Sequence, residues 1–307
     1  MRDVIIIGSG PSGYTAAIYC ARALLKPLMI TGKTFGGQLM KTTYVENYPG
    51  FKKIKGSQLM ENLHLQAEEL GTKFLVENVT SIEGETSPYK IKTSSGEEFL
   101  SKSVIISTGS EALWLNAENE EKLAGKGIST CATCDGAFYK DKKIIVIGGG
   151  DTAMEDANFL TRFGEVTIVH KREGFKASKI MLKKARDNSK ISWLLNKVVE
   201  KWIQGETGFL EGVILRNTKT GELSQVECDG AFIAIGHKPA TEFLNSLVDL
   251  DSEGYILHSK NMSTSKEGIF ACGDVCASSK RYKQAITSSA EGCKAAMDCE
   301  KWLESLN

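Results

Sequence analysis

The sequence carries no excess of either charge: Lys and Arg together number 38, and so do Asp and Glu. That balance removes any bulk electrostatic pull toward nucleic acid or an anionic membrane. No apolar run approaches the roughly 18–20 residues of a membrane span. Met1-Arg2-Asp3 leads straight into a short apolar strand, from which we expect no secretion signal. Also missing is a second cysteine pair at zinc-site spacing. Of the eight cysteines (Cys20, Cys131, Cys134, Cys228, Cys272, Cys276, Cys293 and Cys299), the close pairs are Cys131/Cys134 and Cys272/Cys276. We expect a cytoplasmic protein in a reducing compartment, where most thiols pack and a disulfide is more often catalytic than structural.

What is present points to nucleotides. A chain of 307 residues suggests two domains, and 41% apolar with 25% charged residues fits a soluble globular protein. Asp3-Val4-Ile5-Ile6-Ile7 reads as a buried strand. It runs into Gly8-Ser9-Gly10-Pro11-Ser12-Gly13 and a helix from Tyr14 to about Leu25. Strand, glycine turn and helix together form the setting in which backbone approaches a pyrophosphate and a helix N-terminus receives it. The next strand, Pro27 to Ile30, ends at Thr31-Gly32, where a dinucleotide site usually carries an acid for the ribose. The phosphate half is therefore supported and the ribose half must be built otherwise. Gly36-Gly37-Gln38-Leu39 and Glu46-Asn47-Tyr48-Pro49-Gly50 read equally well as plain turns or as backbone approaches to a large ligand. A helix near Gly56–Leu70 and strands near Lys73–Glu77, Tyr89–Thr93 and Val104–Ser107 follow, the last entering Ser107-Thr108-Gly109-Ser110.

The pattern then begins again, 140 residues on. Strand Ile144–Ile147 enters Gly148-Gly149-Gly150-Asp151-Thr152-Ala153 and a helix to about Phe163. Strand Val166–Val169 ends not at an acid but at His170-Lys171-Arg172, with Lys176 close behind. Cations there can neutralise a 2′-phosphate, so this second site should prefer NADP(H) to NAD(H). Further on, Asp229–Ile235 enters Gly236, Gly268–Cys272 enters Gly273-Asp274-Val275, and Gln284 to Leu303 has a helical pattern.

Between the repeats stands Cys131-Ala132-Thr133-Cys134-Asp135-Gly136. A pair at this spacing can grip a metal or close a disulfide ring. The metal reading lacks further ligands at suitable spacing, and Cys272/Cys276 borders a turn of its own. A disulfide/dithiol fits better, because one thiol of such a pair can be acidified to a working thiolate. Asp135 could move a proton during exchange, or simply shape the turn before Gly136.

With these motifs in this order, the chain resembles the low-molecular-weight NADPH-dependent thioredoxin reductase family along its whole length. The resemblance implies an α/β fold of two Rossmann-like dinucleotide domains of the FAD/NAD(P)-linked disulfide reductase type. FAD would occupy a domain of residues 1–113 and 241–307, and NADPH an inserted domain of residues 114–240 that also carries the redox disulfide. It implies that Ser9, Gly10, Pro11, Ser12 and Gly13 cradle the FAD pyrophosphate. Gly36, Gly37, Gln38, Asn47, Thr108, Gly109 and Gly273 would line the same cofactor, with Val79 by the adenine and Asp274 on the ribitol. Lys283, Gln284 and Ala285 would reach the isoalloxazine edge, where a helix N-terminus contributes about 0.3–1 kcal/mol to an anionic flavin. NADPH would fall to Gly148, Gly150, Asp151, Thr152, Ala153, His170, Lys171, Arg172, Lys176, Ile235 and Gly236.

By the same resemblance Cys134 faces the flavin, Cys131 attacks the thioredoxin disulfide, Asp135 is the acid/base, and no metal takes part. A homodimer and a large rotation of one domain on the other are implied as well. Lys171, Lys176 and Lys283 stand where the family usually has Arg, and Ser12 where it often has Ala. Lys126 and Phe138 flank the disulfide as docking candidates, or as ordinary surface and core residues. Two other readings differ in class: a flavin dithiol oxidase running the chemistry backwards, and a non-enzymatic cofactor sensor, which leaves Cys131-x-x-Cys134-Asp135 without a purpose.

Overall fold

The computed structural model describes residues 1–33, 35–42 and 44–306. Among them the α-helices are α1 (Pro11–Arg22), α2 (Gly56–Glu69), α3 (Glu120–Leu123), α4 (Ala132–Asp135), α5 (Asp151–Leu160), α6 (Lys179–Arg186) and α7 (Ala285–Glu304). None is long and apolar enough to cross a membrane. The chain divides into two compact units, Met1–Glu111 with Lys238–Asn307, and Ala112–His237. These boundaries precede the expected 113/114 and 240/241. The return segment is already held by the first unit, where Ala240 N–H donates to Gly109 O at 3.1 Å and Thr108 Oγ1 to Ala240 O at 2.8 Å.

In the first unit, strand Arg2–Ile7 lies between Leu28–Ile30 and Glu98–Ile106, all parallel. Lys73–Leu75 extends the sheet beyond one neighbour and Ile269–Ala271 beyond the other. Alternation along the central strand sends Val4 and Ile6 to one face, against Tyr14, Ala17, Ala295 and Ala296. Ile5 and Ile7 pack on the other face with Ile82, Ile91, Leu244 and Ile256. A strand buried on both faces must be apolar throughout, which is why Val4–Ile7 shows no polar break. Glu98–Ile106 also pairs antiparallel with Tyr89–Thr93 through its first half. That half is more exposed and carries Glu98, Ser101 and Lys102, so the sequence pattern marks only its end, near Val104–Ser107.

The second unit repeats the plan. Its parallel sheet runs Ile128–Ser129, Gly230–Ile233, Lys143–Ile147, Glu165–His170 and Ile191–Leu195. Ile144 and Val146 face α5, while Ile145 and Ile147 face Trp202, Val213 and Leu215 of an antiparallel meander. That meander (Lys197–Gln204, Leu210–Asn217 and Leu223–Glu227) carries no clear signal in the sequence pattern. The first glycine turn is also shorter than its pattern suggests. Helix α1 starts at Pro11, whose fixed φ suits the first helical position, and ends at Arg22 rather than near Leu25. Leu24 and Lys26 have φ of 62° and 49°, which a continuing helix cannot accommodate.

Candidate active site

In the first unit the glycine turn is built by close approach. At Gly8, with φ of 104°, a Cβ would stand 2.4 Å from Ser107 O, and at Gly13 one would stand 2.1 Å from Gly8 O. No L side chain fits at either position. Gly10 differs, because a Cβ there would meet nothing within 4 Å. It precedes α1 without any side-chain cap, so the first-turn N–H groups of the helix face an open space. Such a turn suits a pyrophosphate.

Long-range contacts bring Gly36, Gly37 and Gly273 against this turn and tie other expected residues to partners elsewhere in the unit. Buried Ser9 donates to Thr31 O at 2.8 Å and accepts the Gly36 N–H at 3.1 Å, stapling the Gly36-Gly37 turn to the first. Gly37 in turn lies against Gly10. Asn47 Nδ2 donates to Gln284 Oε1 at 3.1 Å, joining residues 237 positions apart. Gln284 caps α7 in a reciprocal capping box with Thr287, so its side chain is partly committed to the helix end. Gly273 packs on Ser12, and its N–H donates to Glu291 of α7 at 2.7 Å. Asp274 accepts from Ser288 Oγ at 3.0 Å, and burial raises its pKa to about 6 against the pull of Ser288 and Lys283. Lys283 Nζ donates to Tyr255 Oη at 2.9 Å, and burial lowers its pKa to about 8. Val79 begins a strand and packs against the core beside Leu75. Thr108 is committed to Ala240, Gly109 is half-buried, and Gln38 is exposed on a short 3-10 helix, Gly37–Lys41.

The second unit presents an equivalent turn. Gly150 precedes α5 uncapped, with open space where a Cβ would stand, whereas a Cβ at Gly148 would stand 2.4 Å from Ala234 O. The loop after the second strand folds back onto this turn. Lys176 and Ala177 N–H groups both donate to Gly149 O, at 2.9 and 3.1 Å, and Ser178 N–H donates to Asp151 Oδ1 at 2.7 Å. Lys171, Arg172 and Lys176 are exposed there, and none makes an ion pair with a carboxylate among the described residues. His170 takes another part than the expected cation. Its ring is buried, stacks on Phe175 at 4.8 Å and meets Gly174 O through Nε2 at 3.0 Å. Burial lowers its pKa, with Arg172 and Lys171 adding to the effect, so the ring is neutral near pH 7. It fills the space a side chain at Gly149 would need. Thr152 is exposed, Ala153 is buried, and Ile235 leads into Gly236 at φ of 114°.

Cys131 and Cys134 are joined in a disulfide. Cys131 is the N-cap of α4, and its Sγ accepts the Cys134 N–H at 3.2 Å. Asp135 ends the same turn half-buried, and burial raises its pKa. Its partner, unforeseen from sequence, is Ser129, whose Oγ donates to Asp135 Oδ2 at 2.6 Å and accepts the Cys131 N–H at 3.0 Å. Nothing in the linear pattern marks a serine two residues before a cysteine pair. Tyr139, on the following turn, has its pKa raised to about 12 by burial and by the Asp135 charge. Phe138 and Lys126 are both exposed.

Five of the six remaining thiols are placed for packing, while Cys293 is half-buried. Cys20, Cys228, Cys272, Cys276 and Cys299 are buried, and burial pushes each pKa upward, to about 12 at Cys228 and Cys299. Thiols held protonated in this way exchange poorly. Among the described residues no group of three or more His, Cys, Asp or Glu could hold a metal.

Two open glycine turns and one disulfide define a class, the pyridine nucleotide-disulphide oxidoreductases, and residues 2–292 match that family. The thioredoxin reductase of Mycolicibacterium smegmatis is 48% identical over 306 residues, covering 99% of this chain and 97% of the relative. A bifunctional thioredoxin reductase/thioredoxin of Mycobacterium leprae is 46% identical, with the match covering 99% of this chain and 66% of that protein. The crystal structure of thioredoxin reductase from Streptococcus pyogenes superposes with a TM-score of 0.94 at 37% identity, covering 99% of both chains. The chain belongs to the thioredoxin reductase family.

Proposed function

We propose that this chain is an NADPH-dependent thioredoxin-disulfide reductase, delivering two electrons from NADPH through Cys131–Cys134 to the disulfide of a thioredoxin. The observation that carries the reading is that disulfide, with Asp135 at its end, in the unit that also presents an open glycine turn and three exposed cations without an ion-pair partner among the described residues. The Mycobacterium leprae relative, whose name joins reductase and thioredoxin, supports the choice of partner.

In this reading the first unit holds FAD. The uncapped start of α1 and Gly10 take the pyrophosphate, Gly37 and Asn47 flank it, and Val79 lies by the adenine. Asp274 meets a ribitol hydroxyl, and Lys283, Gln284 and Ala285 edge the ring. Bound FAD supplies a two-electron relay between a nicotinamide and a disulfide. The second unit holds NADPH, with its pyrophosphate at Gly150 and its 2′-phosphate met by Lys171, Arg172 and Lys176. These lysines are point charges rather than planar forks. His170 shapes the loop from beneath and contributes no charge.

The exchange chemistry belongs to this chain's own sulfurs and carboxyl. In the dithiol form the Cys131 thiolate, already beside the Cys134 N–H, attacks one sulfur of the partner disulfide and releases the other as a thiolate. Cys134 thiolate then attacks Cys131 Sγ, which restores the internal disulfide and releases the second partner sulfur. Two electrons leave the cysteine pair and two partner thiols form. One proton comes from the Asp135 carboxyl and the other from solvent. A homodimer in the cytoplasm completes the reading, the reducing environment fitting the buried thiols.

Replacing Cys131 with Ser is the test. NADPH should still bleach the flavin band of the yellow protein, while thioredoxin turnover falls by at least about a thousandfold. Retained turnover, or a protein that binds no flavin, would sink the assignment.

A further inference from the structure

The hydroxyl of Ser129 joins two groups that the exchange chemistry treats as separate. It donates to Asp135 Oδ2 at 2.6 Å and accepts the backbone N–H of Cys131 at 3.0 Å. Its own position is fixed. Ser129 is 7% exposed and lies on the edge strand Ile128–Ser129, held parallel to Gly230–Ile233. One side chain therefore connects the sheet, the carboxyl and the backbone of the cysteine at the mouth of α4. A serine hydroxyl has a single proton. With that proton directed at Asp135, the Cys131 N–H can only meet the oxygen lone pair, so both contacts are made in one hydroxyl orientation.

We propose that Ser129 is a positioning residue of the dithiol site. It stabilises the ionised form of Asp135 and holds the Cys131 backbone in register with that carboxyl. The proposal deepens the reductase reading and rests on it for its catalytic consequence.

The sign follows from the charges. Burial disfavours the Asp135 carboxylate, and the Ser129 O–H favours it, so the two oppose each other. Removing the hydroxyl leaves burial unopposed, and the carboxyl keeps its proton to higher pH. Other ionisable groups surround the site. Tyr139 faces Asp135 from the next turn, and α5, packed on α4, carries Glu155 and Asp156, with Arg162 just beyond its end over the Phe159 ring. The Cys131 and Cys134 thiols join them after reduction. None of these changes in a Ser129 variant, so the difference between variant and parent isolates the hydroxyl.

The experiment titrates the Asp135 carboxyl directly in the oxidised holoenzyme, by carbon-13 NMR of labelled Asp, with Asp135→Asn identifying the signal. In Ser129→Ala the midpoint should rise by about one pH unit. Ser129→Thr should restore it. Ser129→Cys keeps the volume with a weaker donor and serves if the alanine variant does not fold; its midpoint should also rise. A midpoint that stays in place or falls overturns the proposal. In parallel, the alkaline limb of kcat/KM for the protein disulfide should move up by the same amount in Ser129→Ala, while NADPH-driven flavin bleaching keeps its rate. A limb that does not follow the carboxyl overturns the catalytic half of the proposal. A parent enzyme that turns over no thioredoxin counts against the reductase reading instead, and the carboxyl titration still decides the Ser129–Asp135 link.

Discussion

Asp156 shows how far burial alone can move a carboxyl in this chain. It lies half-buried on α5, and its pKa is raised to about 7, by burial first and then by the like charge of Glu155. The unfolded value is near 3.9, so between these limits the native state holds the extra proton. Stability from this group is complete below about pH 4 and is lost as pH rises toward 7. We expect Asp156→Asn to raise stability by about 2 kcal/mol at pH 8 and to change little at pH 4.5, read from urea melts. Equal effects at both pH values would contradict the assignment. Residue by residue, the sequence was most informative where chemistry restricts the choice to one amino acid. The glycines at 8, 13 and 148 and the Cys131/Cys134 pair are of that kind. It was least informative where ordinary residues meet across the fold, as Ser129 meets Asp135. His170 misleads because it heads a run of cations, while its ring fills the space left by Gly149.

Among the elements, the two strand–turn–helix units were legible because each is local. A buried β-branched run, a glycine turn and a helix follow within about 25 residues, a span set by one strand and three helical turns. The meander of the second unit was not legible. Its strands mix buried, half-buried and exposed positions without a strict alternation, and Trp202, Val213 and Leu215 pack on the back of the sheet. Glycine 149 tests the element-level argument. A Cβ there would lie 2.2 Å from the His170 ring. Either the ring moves, and the loop carrying Lys171 and Lys176 moves with it, or the turn itself opens. We expect Gly149→Ala to weaken NADPH binding by at least about tenfold in fluorescence titrations, with flavin content unchanged. Unaltered NADPH affinity would show that the His170–Gly149 contact does not shape the site.

Across the chain, one strand–glycine turn–helix plan is used twice with different endings. The first unit ties the segments around its open glycine turn together over long distances in sequence: Asn47 reaches Gln284, Ser12 packs on Gly273, and Glu291 holds the Gly273 N–H. The second leaves cations exposed on a loop and places the disulfide just ahead of its central strand. The boundaries between units were legible only to within a few residues, because they depend on hydrogen bonds such as Ala240 to Gly109 that span more than 130 positions. The balanced charge, 38 basic against 38 acidic residues, gives the chain no net attraction to a partner of either sign. The most direct measurement counts electrons. Under anaerobic conditions, NADPH oxidised and thioredoxin thiols formed are followed together in the presence of catalytic amounts of the protein. We expect two thioredoxin thiols for each NADPH consumed, with no thiols formed by the Cys131→Ser or Cys134→Ser variant. NADPH consumption without thioredoxin thiols, or thiols formed by either variant, would contradict electron delivery through Cys131–Cys134.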